Sequence, residues 1–155
     1  MNSKTLQLEI ASAEAMEALG AALAQAALDG VAIYLDGELG SGKTTFVRGF
    51  LHGLGHGGHV KSPTFTLVEP YVIDNKRVYH FDLYRITDPD ELEFMGLREY
   101  FDGQALCLLE WPERGGDRLP TPDLGIHIAY QGSARALQLT AHTDAGQALL
   151  EALSH

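Results

Sequence analysis

The sequence has one cysteine, Cys107, so no disulfide can form within the chain. Its setting in Leu106-Cys107-Leu108-Leu109 predicts a buried, inert thiol, and a lone cysteine fits a reducing compartment. Basic residues are also scarce: Lys plus Arg number 11 against 21 Asp plus Glu, a formal net charge of −10. That sign opposes a direct grip on a nucleic-acid backbone, so any role near RNA is expected to run through a partner. No window approaches the roughly 18 apolar residues of a membrane span, and no apolar stretch of signal-peptide length follows Met1-Asn2-Ser3-Lys4-Thr5. These absences predict a soluble cytoplasmic protein that makes no use of a membrane. No repeat or low-complexity tract interrupts the chain. At 155 residues with 45% hydrophobic content, it can bury one sizeable core, and a single domain over 1–155 is expected.

What is present alternates between strands and helices. Leu6–Ile10 reads as a half-buried strand, and Ser12 is placed to cap a helix with Met16, Leu19, Leu23 and Ala26 on one face, ending at Asp29-Gly30. Val31–Asp36 is nearly all apolar, as a central parallel strand covered on both faces should be. Phe46, Phe50 and Leu54 mark the buried stripe of the next helix, with Gly55 as its left-handed terminus. Thr64–Ile73 and Arg77–Leu83 predict an antiparallel hairpin around Asp74-Asn75-Lys76. Asp88-Pro89-Asp90-Glu91 is a helix start, and that helix is expected to stop near Gly96. Leu106–Glu110 reads as a buried strand, and Pro112–Pro122 as a surface connection. Ile126–Tyr130 and Ala136–Ala141 form a last hairpin, before a helix capped by Asp144 and running through Leu153. The order predicts an α/β, P-loop NTPase-like three-layer fold with a central mixed, mainly parallel sheet flanked by helices.

Gly37-Glu38-Leu39-Gly40-Ser41-Gly42-Lys43-Thr44 completes the G-x-x-x-x-G-K-[ST] pattern between the central strand and a helix. Glycines let successive backbone N–H groups turn inward around phosphates at the positive end of the helix. Lys43 then reaches the outer phosphate oxygens, and Thr44 offers its hydroxyl to Mg²⁺. With this composition the pattern arises by accident about 1 time in 200, and its strand-to-helix setting lowers that further. The expectation is binding and hydrolysis of a nucleoside triphosphate. Two strands end in acids that suit a metal or an attacking water: Glu110 after four apolar residues, and Asp82 after Val78-Tyr79-His80-Phe81. Thr64, in Lys61-Ser62-Pro63-Thr64, is either a γ-phosphate sensor or the opening of a strand. His56 and His59 sit among glycines without a cysteine partner at metal spacing and read as loop histidines; His80 calls for the same caution. Trp111 reads as core, while Arg48 and Arg85 suit either phosphate or surface acids. A small-molecule kinase and a GTP-driven switch use the same loop. The arginines are few and scattered for a kinase lid, and Asp74-Asn75-Lys76-Arg77 lacks the last Asp of a guanine-reading Asn-Lys-x-Asp element, which favours adenine.

Five blocks together resemble the TsaE family in order and spacing. They are Gly-Glu-Leu-Gly-Ser-Gly-Lys-Thr-Thr-Phe (37–46), Lys-Ser-Pro-Thr-Phe-Thr-Leu-Val-Glu-Pro-Tyr (61–71), Tyr-His-Phe-Asp-Leu-Tyr-Arg (79–85), Glu-Leu-Glu-Phe-Met-Gly-Leu (91–97) and Leu-Glu-Trp-Pro (109–112). The resemblance spans nearly the whole chain. It implies an ATPase subunit, using ATP and Mg²⁺, of the bacterial machinery that makes N6-threonylcarbamoyladenosine in tRNA. The subunit would act with the TsaB–TsaD heterodimer and meet tRNA only through that complex. Carried over by position, it puts Thr44 and Glu110 on Mg²⁺ and Lys43 on the phosphates. The backbone of Gly37 to Thr45 lies around the nucleotide, Thr64 falls in a switch-like segment, and Asp82 takes a catalytic or water-positioning role. Trp111 is implied close to the nucleotide, and contacts to the base are implied near Ser12 and Arg135.

Overall fold

The computed structural model describes residues 4–153. Of the opening segment, Met1, Asn2 and Ser3 lie outside the described residues. Seven strands form one sheet in the order β1-β7-β6-β2-β5-β4-β3. The four central strands, β6 (Leu124–Gln131), β2 (Ala32–Gly37), β5 (Leu106–Glu110) and β4 (Lys76–Asp82), run parallel. Antiparallel strands complete both flanks: β7 (Ala134–Ala141) and β1 (Lys4–Ile10) on one side, β3 (Val68–Ile73) on the other. Pro70 costs no central ladder bond because β3 is an edge strand.

Period-two alternation divides the central strands between two cores. Ile33 and Leu35 of β2, with Leu106 and Leu108 of β5, pack toward α1 (Ala13–Ala26), α2 (Lys43–Gly53) and α5 (Asp144–Leu153). Tyr34, Cys107 and Leu109 point the other way, to a second core closed by α3 (Asp90–Phe94) and α4 (Leu97–Tyr100). Being covered on both faces is why β2 and β5 read as continuous apolar runs. The result is the three-layer α/β fold that the alternation predicts.

Small residues set the α1–α2 crossing. A Cβ at Gly20 would fall 2.3 Å from the Phe46 carbonyl oxygen, and one at Gly49 would fall 2.1 Å from that of Glu17. The close approach leaves Phe46 and Phe50 of α2 fully buried.

Several boundaries differ from the sequence expectations. The predicted strand at Thr64–Ile73 begins only at Val68. Leu67 adopts φ +68°, and its N–H donates to the Pro63 carbonyl at 2.7 Å, so residues 64–67 turn. The following hairpin closes on two residues, Asp74 and Asn75, both with positive φ. At α3, the Asp88 side chain accepts the Asp90 N–H, but the cap position is Pro89 and Asp90 is the first helical residue, one later than the sequence implies. Past left-handed Gly96, however, the chain makes a further helical turn, α4. The cap of α5 is Thr143, whose Oγ1 accepts the Gly146 N–H at 3.1 Å; Asp144 is the first helical residue.

Candidate functional site

Strand order reverses about β2, whose neighbours β5 and β6 lead away in opposite directions, and the crevice beyond its carboxyl end is where open α/β sheets place their ligands. The glycine-rich loop fills this point. Gly42, at φ +115°, turns the chain into α2, whose first residue is Lys43. A side chain at Gly37 would meet the Ile128 carbonyl and Ser41 Oγ, each at 2.7 Å. Ser41 is buried, and its Oγ has no hydrogen-bond partner among the described residues.

Lys43 is only 4% exposed, and its ammonium donates to the carbonyls of Gly37 and, at 3.1 Å, Glu38. The same ammonium lies 3.9 Å from the centre of the Trp111 ring. Burial lowers the Lys43 pKa from its ordinary value, and the carboxylates of Glu110, Glu113, Asp82 and Asp36 oppose that shift.

Two acids stand side by side, because Asp82 and Glu110 are register partners at the ends of β4 and β5. Both are buried. Thr44 Oγ1 donates to Glu110 at 3.0 and 3.2 Å from its two oxygens. Asp82 Oδ2 accepts from Ser62 Oγ at 3.0 Å and Thr64 Oγ1 at 3.1 Å, and its Oδ1 accepts the Tyr84 N–H. The segment after α2 is thereby tied to the strand-end acid. A cavity of about 290 Å³ is lined by Lys43, Thr44, Thr64, Asp82, Glu110 and Trp111, among others. On the other side of the loop a second cavity, about 210 Å³, is lined by Ser12, Met16, Thr45 and Arg135 as well as Gly40 and Gly42.

The tip of the β6–β7 hairpin secures the loop between these cavities. Tyr130 donates its hydroxyl to the Leu39 carbonyl at 2.7 Å, and Arg135 Nε donates to the Ser41 carbonyl at 3.0 Å. The Arg135 guanidinium also lies over the Tyr130 ring.

The structure thus brings Lys43, Thr44, Thr64, Asp82, Glu110 and Trp111 into one cavity, and puts Ser12 and Arg135 together in the neighbouring one. Trp111, read as core, is half-buried and belongs to the site's wall. Arg85 stacks on Phe65. Among the described residues no three His, Cys, Asp or Glu side chains form a metal cluster, and His56 and His59 are loop histidines. Sequence reasoning passed over Ser62, Tyr130 and the contact of His80 with Glu110. Ser62 was detectable from its place beside Thr64. Tyr130 carries no local signal, since its partner Leu39 is 91 positions away.

This strand, loop and helix at the switch point define a three-layer α/β protein with a glycine-rich loop in its ligand crevice. The family description "Threonylcarbamoyl adenosine biosynthesis protein TsaE" matches residues 10–137, and the chain belongs to the TsaE family. It is 52% identical over 125 residues to the tRNA threonylcarbamoyladenosine biosynthesis protein TsaE of Haemophilus influenzae, covering 81% of this chain and 79% of the relative. Identity to the protein of the same name from Bacillus subtilis is 40% over 152 residues, covering 97% and 95%. The crystal structure of Bacillus YdiB superposes with a TM-score of 0.82 at 34% identity, covering 99% of this chain and 97% of that one. No helix among the described residues is long and apolar enough to cross a membrane.

Proposed function

We propose that this chain binds ATP with Mg²⁺ and hydrolyses it as a subunit required for N6-threonylcarbamoyladenosine formation in tRNA, acting with the TsaB and TsaD proteins. The observation that carries this reading is the convergence of the glycine-rich loop, the Thr44–Glu110 pair and the Thr64–Asp82 pair on one cavity.

The residues present fit both ligands. Thr44 and Glu110 are hard oxygen donors 3.0 Å apart, the kind of sparse set that Mg²⁺ accepts when phosphate and water complete its shell. The loop leads into the positive N-terminal end of α2, and the buried Ser41 hydroxyl has no partner among the described residues. When bound, the cation would neutralise phosphate charge. Lys43 is held by carbonyls on one side and an indole face on the other, so little of its freedom is left to lose as it turns to an anion. Asp82 accepts three hydrogen bonds and is fixed where it can orient a water or receive its proton. Ser12 and Arg135 line the cavity across the loop, and this cavity would take the base. TsaD transfers the threonylcarbamoyl group, and ATP hydrolysis here resets the complex between turnovers.

Reconstituted tRNA modification, followed over many turnovers, tests the whole reading. Without this chain the first turnover proceeds and later ones fail. Lys43→Ala abolishes ATP binding, and Asp82→Asn lowers hydrolysis on the order of 100-fold while leaving binding intact. Multiple turnover that continues at an equal rate without the chain overturns the resetting role. ATP hydrolysis unchanged by TsaB and TsaD removes the partner dependence.

A further inference from the structure

One buried polar side chain beside the acids has no part in the chemistry above. His80, 0% exposed, stands on the α2-facing side of β4, midway between Val78 and Asp82. In the parallel register it pairs with Leu108, so Glu110 is its diagonal neighbour on the same face. Its Nε2 lies 2.6 Å from Glu110 Oε2. A carboxylate accepts, so Nε2 carries the proton and donates it. Nδ1 has no partner among the described residues.

A buried imidazole bonded on one side only is a poor choice for packing, because the other ring nitrogen stays desolvated and unpaired. An apolar side chain of similar volume would fill the same space without that cost. The imidazole makes sense through what its donating nitrogen does. Glu110 Oε2 accepts from both His80 and Thr44, which prevents the carboxylate from rotating and leaves Oε1 the less occupied oxygen of a group that lines the cavity.

We propose that His80 is a positioning residue that holds the Glu110 carboxylate in the orientation that receives the divalent cation. This rests on the reading of Glu110 as a metal ligand. Hydrogen-bond partners behind a metal ligand restrict its rotamers and raise affinity by lowering the cost of ordering it.

The experiment titrates Mn²⁺ into the full chain with bound ADP, followed by electron paramagnetic resonance. ADP affinity in EDTA and the thermal melt are measured alongside. His80→Met keeps the volume and deletes the donor. Mn²⁺ affinity then falls about 10- to 100-fold while ADP affinity in EDTA holds. His80→Gln, whose amide N–H reaches toward the place of Nε2, recovers most of it. If His80→Met does not fold, His80→Asn, with an amide too short to reach Glu110, replaces it against the Gln variant. Equal Mn²⁺ affinity in the donor-deleted and wild-type proteins overturns the proposal, as does a Gln variant no better than its donor-deleted counterpart. Glu110→Gln separates the two readings. Full Mn²⁺ affinity there removes Glu110 from the ion and sinks both, whereas loss there with none on deleting the His80 donor sinks the positioning role alone.

Discussion

Trp111 sits at φ +62°, in the left-handed region, where a non-glycine residue costs about 1–2 kcal/mol. The turn that demands this conformation also lays the indole against the Lys43 ammonium. Substituting Trp111→Leu keeps the backbone cost and removes the cation–π contact, so ATP affinity is expected to fall about 3- to 10-fold by equilibrium titration. An unchanged affinity would reduce the ring to a wall of the cavity. Cys107 illustrates the opposite kind of residue. Desolvation pushes its thiol up to about 12, and its nearest acceptor is the Tyr100 carbonyl at 3.5 Å. Iodoacetamide at about pH 8 should leave the folded protein unmodified and alkylate it rapidly in guanidinium, a contrast that mass spectrometry reads directly. Modification of the native chain at the unfolded rate would show that this face of the sheet opens readily.

The α1–α2 crossing is where the glycine-rich loop gets its footing, and Gly49 is its tightest point. Gly49→Ala gains helix propensity, yet its Cβ meets the Glu17 backbone, and overpacking of this kind costs about 1–3 kcal/mol. Net loss is expected, read as a lower denaturation midpoint; a stabilised variant would mean that the helices slide apart freely. The turn leading into β5 behaves differently with pH. The N–H groups of Ala105 and Gln104, and then Arg77, draw the Asp102 carboxyl down to about 2. A folded value below the unfolded one means stability present above about pH 4 and lost as pH falls toward 2. Asp102→Asn should flatten that part of the acid-denaturation curve, and an unaltered curve would assign the loss to other carboxylates. Elements with a strong local pattern were legible in the sequence: the apolar strands β2 and β5, the Ser12 cap and the 37–44 loop all lie where their residues imply. The turn at 64–67 was not, because Phe65 and Leu67 mimic strand alternation, and what draws the chain out of it is Asp82, held to Ser62 and Thr64 across 20 and 18 positions. Asp82 and Glu110 could be recognised as strand ends. Their adjacency, and the insertion of His80 behind Glu110, depend on which strands pair, and no local signal encodes that.

A chain with a net charge of −10 that is proposed to bind an anionic nucleotide and to serve tRNA modification must solve two electrostatic problems by different means. The nucleotide problem is local. Backbone dipoles at the start of α2 and the buried Lys43 act on an anion across a few ångströms, whereas solvent and salt screen the surface acids farther away. The tRNA problem is global, since a polyanion spans distances over which the protein's net charge counts and only 11 Lys and Arg are available. Fluorescence anisotropy with labelled tRNA at physiological salt should therefore show no saturable binding by this chain alone up to about 10 µM, the middle of the range of non-specific affinities. Adding TsaB and TsaD should bring this subunit to the tRNA without changing the slope of affinity against salt, because in the proposed reading the phosphate contacts belong to the partners. If the chain alone binds tRNA with a steep salt slope, it carries a basic track that its composition hides. The proposed division of labour, in which this subunit turns over nucleotide and its partners hold the RNA, would then be wrong.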